Sequence, residues 1–246
     1  MFLDWIRANY DWQAALAFVG LLALTSIVGN YLTFKIPVLA EMRETNRAVD
    51  KTKLARETFR NAVKINNKSG LYTNLAFYVT ILPFCVGFDS RPIWRHVVDV
   101  FAVLLVFDFM YYLTHRFLFH GNLLRKVHAL HHQARKPTYV DALYVHPFET
   151  FIGLSLFLGS IPLVAAVAGG PLHVGSMVVA TLLFTHLNSL NHVYTNLPAP
   201  FGWVNTITGV HAAHHIDMNH GNYATLTMFY DKLFGTYEEP IIRETA

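Results

Sequence analysis

Five apolar runs set the terms on which this chain can fold. They extend roughly from Gln13 to Phe34, Leu71 to Phe88, Val97 to Leu113, Phe151 to Ala168 and Leu172 to Leu190. A spanning helix needs about 20 mostly apolar residues. Within hydrocarbon every backbone N–H and C=O must be satisfied inside the segment, so isolated runs of this kind fold as helices. Composition agrees: 53% of residues are hydrophobic and 14% are charged, where a soluble domain carries about a quarter charged. The expected fold is all-α, a polytopic membrane helical bundle of four to five apolar helices in a single domain over 1–246, with no internal repeat. The first run has no small-residue cleavage site soon after it and reads as a retained helix, not a signal peptide. Gly169, Gly170 and Pro171 break the fourth run from the fifth. Glycine, proline and histidine in those two runs leave open re-entrant or interfacial helices in place of full spans.

Charge orients the bundle. Between the first two runs, Glu41–Lys68 is polar and basic, with Lys53 and Glu57 at the i, i+4 spacing of an exposed helix against the headgroups. If the runs alternate across the membrane, sixteen of the nineteen lysines and arginines fall on one side; Arg7, Arg91 and Arg95 fall on the other. Cytoplasmic loops carry the excess of Lys and Arg, so the rich side is expected to face the cytoplasm. A net charge of +3 is too small to argue for nucleic acid. The one cysteine, Cys85, cannot form an internal disulfide and reads as a small buried hydrophobe.

Fourteen histidines are present, and all but His96 lie at or beyond His115. His115 and His120 form HRFLFH; His128, His131 and His132 form HALHH; His186 and His192 flank HLNSLNH; His211, His214 and His215 form HAAHH. Every group falls on the side rich in Lys and Arg. In HxxHH on a helix, the first and third histidines are stacked on one face and the second lies close by. Neutral imidazole suits zinc, copper, iron and nickel. The candidate ligands are His115, His120, His128, His131, His132, His192, His211, His214 and His215, with His186 as a tenth. That is too many for one four-coordinate zinc and suits two ions, held in a cytosolic histidine-rich helical cap. His96 and His173 stand outside the boxes and read as packing residues. Asp108, two turns before His115, is expected to accept a hydrogen bond from a ligand imidazole and fix its tautomer. Asn188, four residues before His192, and His146, before Pro147 and Glu149, are further candidates for support from behind the ligands, with a ligand or helix-start role left open for His146. Asn222 and Asp231 are too, alongside ordinary turn and cap roles.

The order of the boxes resembles the fatty acid hydroxylase and sterol desaturase superfamily over roughly Asp108 to Tyr237. DFMYYLTHRFLFH resembles the first box, HALHH and then VHPFE the second with its histidine-proline-acid element, and NHVYTNLP the segment before the last box. HAAHHIDMNHGNYATLTMFYDKLFGTYEEP, from His211, carries the most specific likeness: the last box, the pair Asn222–Tyr223 and the closing run Asp231 to Thr236. The family often has tryptophan where Tyr230 stands, and His220 is an extra histidine. The resemblance implies a membrane enzyme with two iron ions, using dioxygen and external electrons to hydroxylate or desaturate a lipid C–H bond. Nothing in the sequence carries electrons: there is no dinucleotide glycine fingerprint and no ferredoxin cysteine pattern. A ferredoxin, b-type cytochrome or reductase is therefore expected as donor. Two other classes compete. A histidine-rich metal transporter would need ligands along a path through the bilayer. A zinc-dependent lipid hydrolase would need fewer ligands and a carboxylate base, and the chain has no HExxH.

Overall fold

A computed structural model describes residues 2–244. Helix α1 (Phe2–Asn9) is followed by α2 (Trp12–Thr33), whose start is capped by Asp11, its carboxylate accepting from the Ala14 N–H at 2.8 Å. Pro37 opens α3 (Pro37–Ala55), a position where its missing N–H costs nothing. Arg56 takes an extended conformation, ψ 122°, and divides α3 from α4 (Glu57–Thr80). The expected Lys53–Glu57 pairing is therefore absent, because the two residues lie on different helices. Lys53 instead binds the Asp141 carboxylate, Thr138 Oγ1 at 2.8 Å and the Lys136 carbonyl at 3.1 Å, tying α3 to the loop after the second box.

Helix α4 begins in the basic stretch and ends in the apolar one, so the second apolar run is not a separate helix. Beyond Thr80 the chain makes a short 3₁₀ turn at Leu82–Phe84 around Pro83 and then strand β1 (Val86–Gly87). Helix α5 (Ile93–Thr114) returns toward the histidine end and passes into a π-helical turn at His115–Phe119. Helix α6 (Arg125–His128) and two 3₁₀ turns, at His131–Gln133 and Tyr139–Leu143, lead to α7 (Pro147–Ala168). Strand β2 (Leu172–His173) pairs in parallel with β1, Val86 opposite Leu172, and joins α7 to α8 (Val174–Leu190). Helices α9 (Gly202–His214) and α10 (Phe229–Leu233) complete the histidine end.

Three helical segments are long and apolar enough to cross a membrane: Leu3–Thr33, Ile93–Phe119 and Pro147–Ala168. Val174–Leu190 is a shorter apolar helix. The five expected runs thus become three candidate spans, the inner half of α4, and α8. Helix α8 buries Met177, Val178, Ala180 and Phe184 and packs against α2 and α5. Its ring Phe184 stacks on Phe157 of α7 with centroids 3.9 Å apart and meets Phe107 of α5 at 4.9 Å. On α2, Leu16, Leu24, Ile27 and Leu32 are exposed, as side chains facing lipid are.

The end of the bundle remote from the boxes is closed by charge. Asp99 is buried and accepts from Arg91 and Arg95, each at 3.2 Å. His96 Nδ1 lies 2.8 Å from Ser176 Oγ and its ring meets that of His173 at 4.6 Å. His173 caps α8 by accepting from the Gly175 N–H at 3.0 Å. Both histidines are packing and capping residues far from the boxes, in line with their position in the sequence. At the histidine end, Gly121 follows the π turn where a Cβ would overlap the Phe117 carbonyl. Gly121→Ala should therefore disturb the turn that carries His115 and His120, lowering the thermal midpoint and the metal content together in purified protein. Gly20→Ala, with open space around its Cβ position, is the control and should change neither.

Candidate metal centre

Nine of the ten candidate histidines converge, in two groups. The first holds His115, His120, His128, His132 and His214; the second holds His131, His192, His211 and His215. All nine are buried, and within each group the nitrogens offered lie within 4.8 Å of one another. Each HxxHH box feeds both groups. His128 and His132 share the first, with Nε2 atoms 3.0 Å apart, while His131 between them turns to the second. His211 and His215 share the second, 3.1 Å apart, while His214 turns to the first. The i, i+4 pair lies on one face and the i+3 residue is offset from it, so one box bridges two groups. HALHH does this without a continuous α-helix, across the end of α6 and the following 3₁₀ turn.

The π turn solves a different spacing problem. Residues five apart on an α-helix point ~140° apart, since each advances ~100°. Here the His120 N–H bonds the His115 carbonyl at 2.9 Å, an i to i+5 bond that inserts the extra residue of a π-bulge. Both imidazoles then reach the first group.

The tautomers follow from what lies behind the rings. Nδ1–H of His115 donates to the Tyr223 carbonyl at 2.7 Å, that of His120 to Met218 at 2.9 Å and that of His214 to Gly221 at 2.6 Å. His128 Nδ1–H donates to Glu149 Oε1 at 2.7 Å, and His192 Nδ1–H to the Asn188 carbonyl at 3.3 Å. A neutral imidazole carries one N–H, so these five rings turn bare Nε2 lone pairs inward. Protonating the rings does not relieve the crowding. Burial away from water pushes His128 and His131 down to about 3 and His120 and His192 down to about 4. It holds His132, His211, His214 and His215 far below the usual histidine range. Yet Nε2 of His115 lies 3.0 Å from Nε2 of His128, and that of His192 lies 3.0 Å from those of both His131 and His211. Between His115 and His128, whose Nδ1–H bonds leave both Nε2 atoms bare, the facing lone pairs repel at that distance unless a cation lies between them.

The spacing fits such a cation. Two nitrogens bound ~2.1 Å from one ion at right angles lie ~3.0 Å apart, whereas tetrahedral ligation separates them by ~3.4 Å. The shortest separations here, 3.0–3.1 Å, are within reach of one ion. His120 Nε2 is buried with no hydrogen-bond partner among the described residues, which also suits a ligand. The residues present could hold two metal ions through five and four imidazoles.

Several expected supports act differently from the sequence reading. Asp108 is fully buried but touches no ligand. It accepts from the N–H groups of Thr225 at 3.1 Å and Leu226 at 3.0 Å and from Thr227 Oγ1 at 2.7 Å. Two helical turns, ~10 Å, separate it from His115, too far for the expected bond. Asp231 accepts from the N–H groups of Tyr223 at 2.8 Å and Ala224 at 2.9 Å. Asn222, in the left-handed region at φ 60°, donates to the carbonyls of Val210 at 3.0 Å and Glu238 at 3.1 Å. Together the three hold the loop whose carbonyls orient His115 and His214. Asn188 supports His192 through its carbonyl, not its side chain. His146 caps α7, accepting from the Phe148 N–H at 3.2 Å, and bonds no ligand. His186 lies outside both groups. It is exposed and donates to the Leu182 carbonyl at 2.8 Å, because six residues rotate it away from His192 on α8. His220, the extra histidine, pairs with Glu238 at 2.6 Å outside both groups.

The sequence reading overlooked Glu149, the buried carboxylate behind His128. Its signal was present: an acidic residue in the first turn of an apolar helix is favoured by the helix dipole and is rare in a span without a function. The carbonyls of Met218, Gly221 and Tyr223 had no sequence signal, since any residue supplies one.

The comparisons with known proteins agree with this geometry. The model of the fatty acid hydroxylase family matches residues 100–236, just over half of the chain. The chain belongs to the fatty acid hydroxylase family. Protein CER1-like 2 of Arabidopsis thaliana is 27% identical over 181 residues, 69% of this chain and 29% of that protein. Methylsterol monooxygenase 1 of Rattus norvegicus is 31% identical over 134 residues, 52% of this chain and 43% of that protein. Very-long-chain aldehyde decarbonylase GL1-5 of Oryza sativa subsp. indica is 26% identical over 165 residues, 62% of this chain and 26% of that protein. The chain thus spans less than half the length of these relatives. No solved structure matches. The family match begins at residue 100 and encloses all nine converging histidines and Glu149.

Removing a group that orients a ligand typically costs 10–100-fold in metal affinity or activity. Glu149→Gln should lower metal affinity by about that factor while leaving a folded protein, measured by chelator competition. His131→Ala, which removes a member of the second group, should hold less metal. His173→Ala should retain it, so metal retained in His131→Ala and lost in His173→Ala would refute the assignment.

Proposed function

We propose that this protein is a membrane-bound, oxygen-dependent non-haem di-iron oxidoreductase that hydroxylates or desaturates a C–H bond of a lipid. The observation that carries the reading is the meeting of both histidine groups with one cavity among the membrane helices. The cavity is lined by His115 of the first group and by His131, His192 and His211 of the second. His115, His120, His128, His132 and His214 would hold one iron, and His131, His192, His211 and His215 the other. When bound, the two ions would supply the activation of dioxygen that oxidising an unactivated C–H bond requires. The protein does the rest. Five Nδ1–H bonds keep five of the Nε2 lone pairs inward, Glu149 holds His128 through its Nδ1–H, and the apolar wall of Phe107, Leu154 and Phe184 keeps water from the reacting carbon. Both remove a first hydrogen; hydroxylation then adds oxygen to that carbon, whereas desaturation removes a second hydrogen from its neighbour, so the pose of the chain along that wall decides between them.

The rival classes fit less well. A transport path would distribute ligands through the bilayer, whereas these cluster at one end of the bundle. A zinc hydrolase site needs three or four ligands, fewer than the nine converging imidazoles here. Electrons would come from a separate ferredoxin, b-type cytochrome or reductase. The exposed Lys51, Arg60, Lys64 and Lys68 on α3 and α4 offer an acidic donor a docking face or hold anionic headgroups. The three candidate spans, the inner half of α4 and α8 cross between the same two ends of the bundle. With the basic residues at the histidine end, the positive-inside rule puts that end in the cytoplasm.

Two experiments test this. Purified protein should hold about two metal ions per chain, and changing both His132 and His215 to alanine should reduce that number. Incubated with host lipid extract, reductant and ¹⁸O₂, the wild type should yield either a lipid enlarged by one labelled oxygen or one short of two hydrogens. One ion per chain, or no product of either kind, would overturn the reading. Orientation is separate: a cysteine at Lys126 should react with a membrane-impermeant maleimide only in inverted vesicles, and one at Trp94 only in intact cells.

A further inference from the structure

The cavity beside the histidines has a volume of about 420 Å³ and continues away from them into the bundle. It follows α4 inward. At the histidine level Asn66 of α4 donates to the Leu143 carbonyl at 3.0 Å and accepts from Thr150 Oγ1, beside Glu149. One turn further in, Gly70 faces Leu154 and Thr150 across a gap that leaves ordinary contact distance even for an added Cβ, 3.6 and 3.7 Å. Asn74 lies a further turn in, and the rings of Phe107 and Phe184 line the same cavity.

Asn74 is unlike its surroundings. Leu71, Tyr72, Leu75 and Val79 on the same stretch of α4 are exposed apolar or aromatic side chains, as expected against lipid. Asn74 is half-buried and lines the cavity, and its side chain makes no hydrogen bond among the described residues. Its amide offers two donors and an acceptor, and leaving these unsatisfied in an apolar setting is costly. Asn66, eight residues earlier on the helix, spends its amide on the protein itself; Asn74 does not. Two more polar atoms in the cavity wall are idle at the opposite end: Thr225 Oγ1 and Glu149 Oε2 are both buried without partners among the described residues. The cavity is thus polar near the histidines, mainly apolar along Gly70, Leu154 and Phe184, where Thr185 is the polar neighbour, and polar again at Asn74.

We propose that Asn74 is a recognition residue that hydrogen-bonds a hydroxyl or carbonyl oxygen of the lipid and so selects the carbon presented to the histidines. The span from Asn66 to Asn74 is ~12 Å along the helix axis. The substrate is therefore a lipid with a polar oxygen on the order of 12 Å from the carbon that is oxidised, joined to it by an apolar skeleton. This assignment rests on the oxygenase reading for the meaning of "oxidised carbon", but the binding it predicts needs no turnover.

The test uses the metal-loaded protein in phosphatidylcholine nanodiscs and two matched pairs of radiolabelled probes. One pair is 1-decanol and n-decane; the other is a 3-hydroxysterol and its 3-deoxy counterpart. Binding is read by scintillation proximity after subtracting partition into empty nanodiscs. In at least one pair the wild type should bind the alcohol about fivefold to tenfold more tightly than the hydrocarbon, the effect of one neutral hydrogen bond. The pair that discriminates tells a linear skeleton from a fused-ring one. Asn74→Leu should erase the preference by weakening the alcohol alone, with metal content unchanged, and Gly70→Leu should weaken both members of the pair by filling the gap. Equal binding within both pairs, or a preference that survives in Asn74→Leu, would overturn the assignment. Absence of ¹⁸O₂-dependent product in the wild type would instead strike the oxygenase reading, and the two failures are told apart because only one depends on turnover.

Discussion

The lone pairs of His115 and His128, neutral imidazoles held 3.0 Å apart out of reach of water, are the constraint on which the rest of this structure depends. Charging the rings would place several positive charges within van der Waals contact in a site with little water to screen them. Turning the rings over would break the Nδ1–H bonds to Tyr223, Met218, Gly221 and Glu149. A cation between the nitrogens removes the repulsion, and metal binding of this kind contributes directly to folding free energy. The interleaving of the boxes adds to this. Because His131 and His214 each leave their own box for the other group, the two groups share two short segments, and disturbing one group disturbs the other.

Buried carboxylates hold the frame, and each does so through groups that stabilise its charge. Asp108 and Asp231 accept from consecutive backbone N–H groups of the segment Tyr223–Leu226, bonds that are charge-assisted and stronger than neutral ones. The segment in turn presents the Tyr223 carbonyl to His115, and the Asn191 side chain donates to its Thr225 carbonyl at 2.6 Å. A residue on α5 thereby fixes a ligand on the same helix by way of a loop more than a hundred residues away in sequence. Glu149 is the direct case, one carboxylate against one imidazole.

The division of the molecule into a polar end and an apolar bundle also organises its chemistry. The histidines need carbonyl and carboxylate partners, which the loops at the helix ends supply without exposing backbone to lipid. The small residues Gly70 and Gly153 leave an apolar opening between α4, α5 and α7. The cavity lies where these two requirements meet. Membership of the fatty acid hydroxylase family and two histidine groups beside an intramembrane cavity are therefore consistent features of one arrangement.

The sequence by itself determined the class of this protein. The apolar runs required membrane helices, and the lysines and arginines gathered every histidine box at one end. Two HxxHH boxes with His115, His120 and His192 offered enough imidazoles for two ions, and the structure brings all nine into two groups. These are local properties, legible because helical periodicity and hydrophobicity act over short stretches. Tertiary structure decided the rest. Which histidine joins which group depends on how the two boxes face each other. The roles of Asp108 and Glu149 depend on which backbone or ring lies opposite, and α5 alone could not show that Asp108 meets Thr225 instead of His115. The second apolar run became the inner half of α4 because Arg56 and Pro83 set that helix's limits, and α8 can be short because α2 and α5 shield it. Carbonyl partners were invisible in principle, since every residue carries the same backbone group and only the path of the chain determines which four meet the rings.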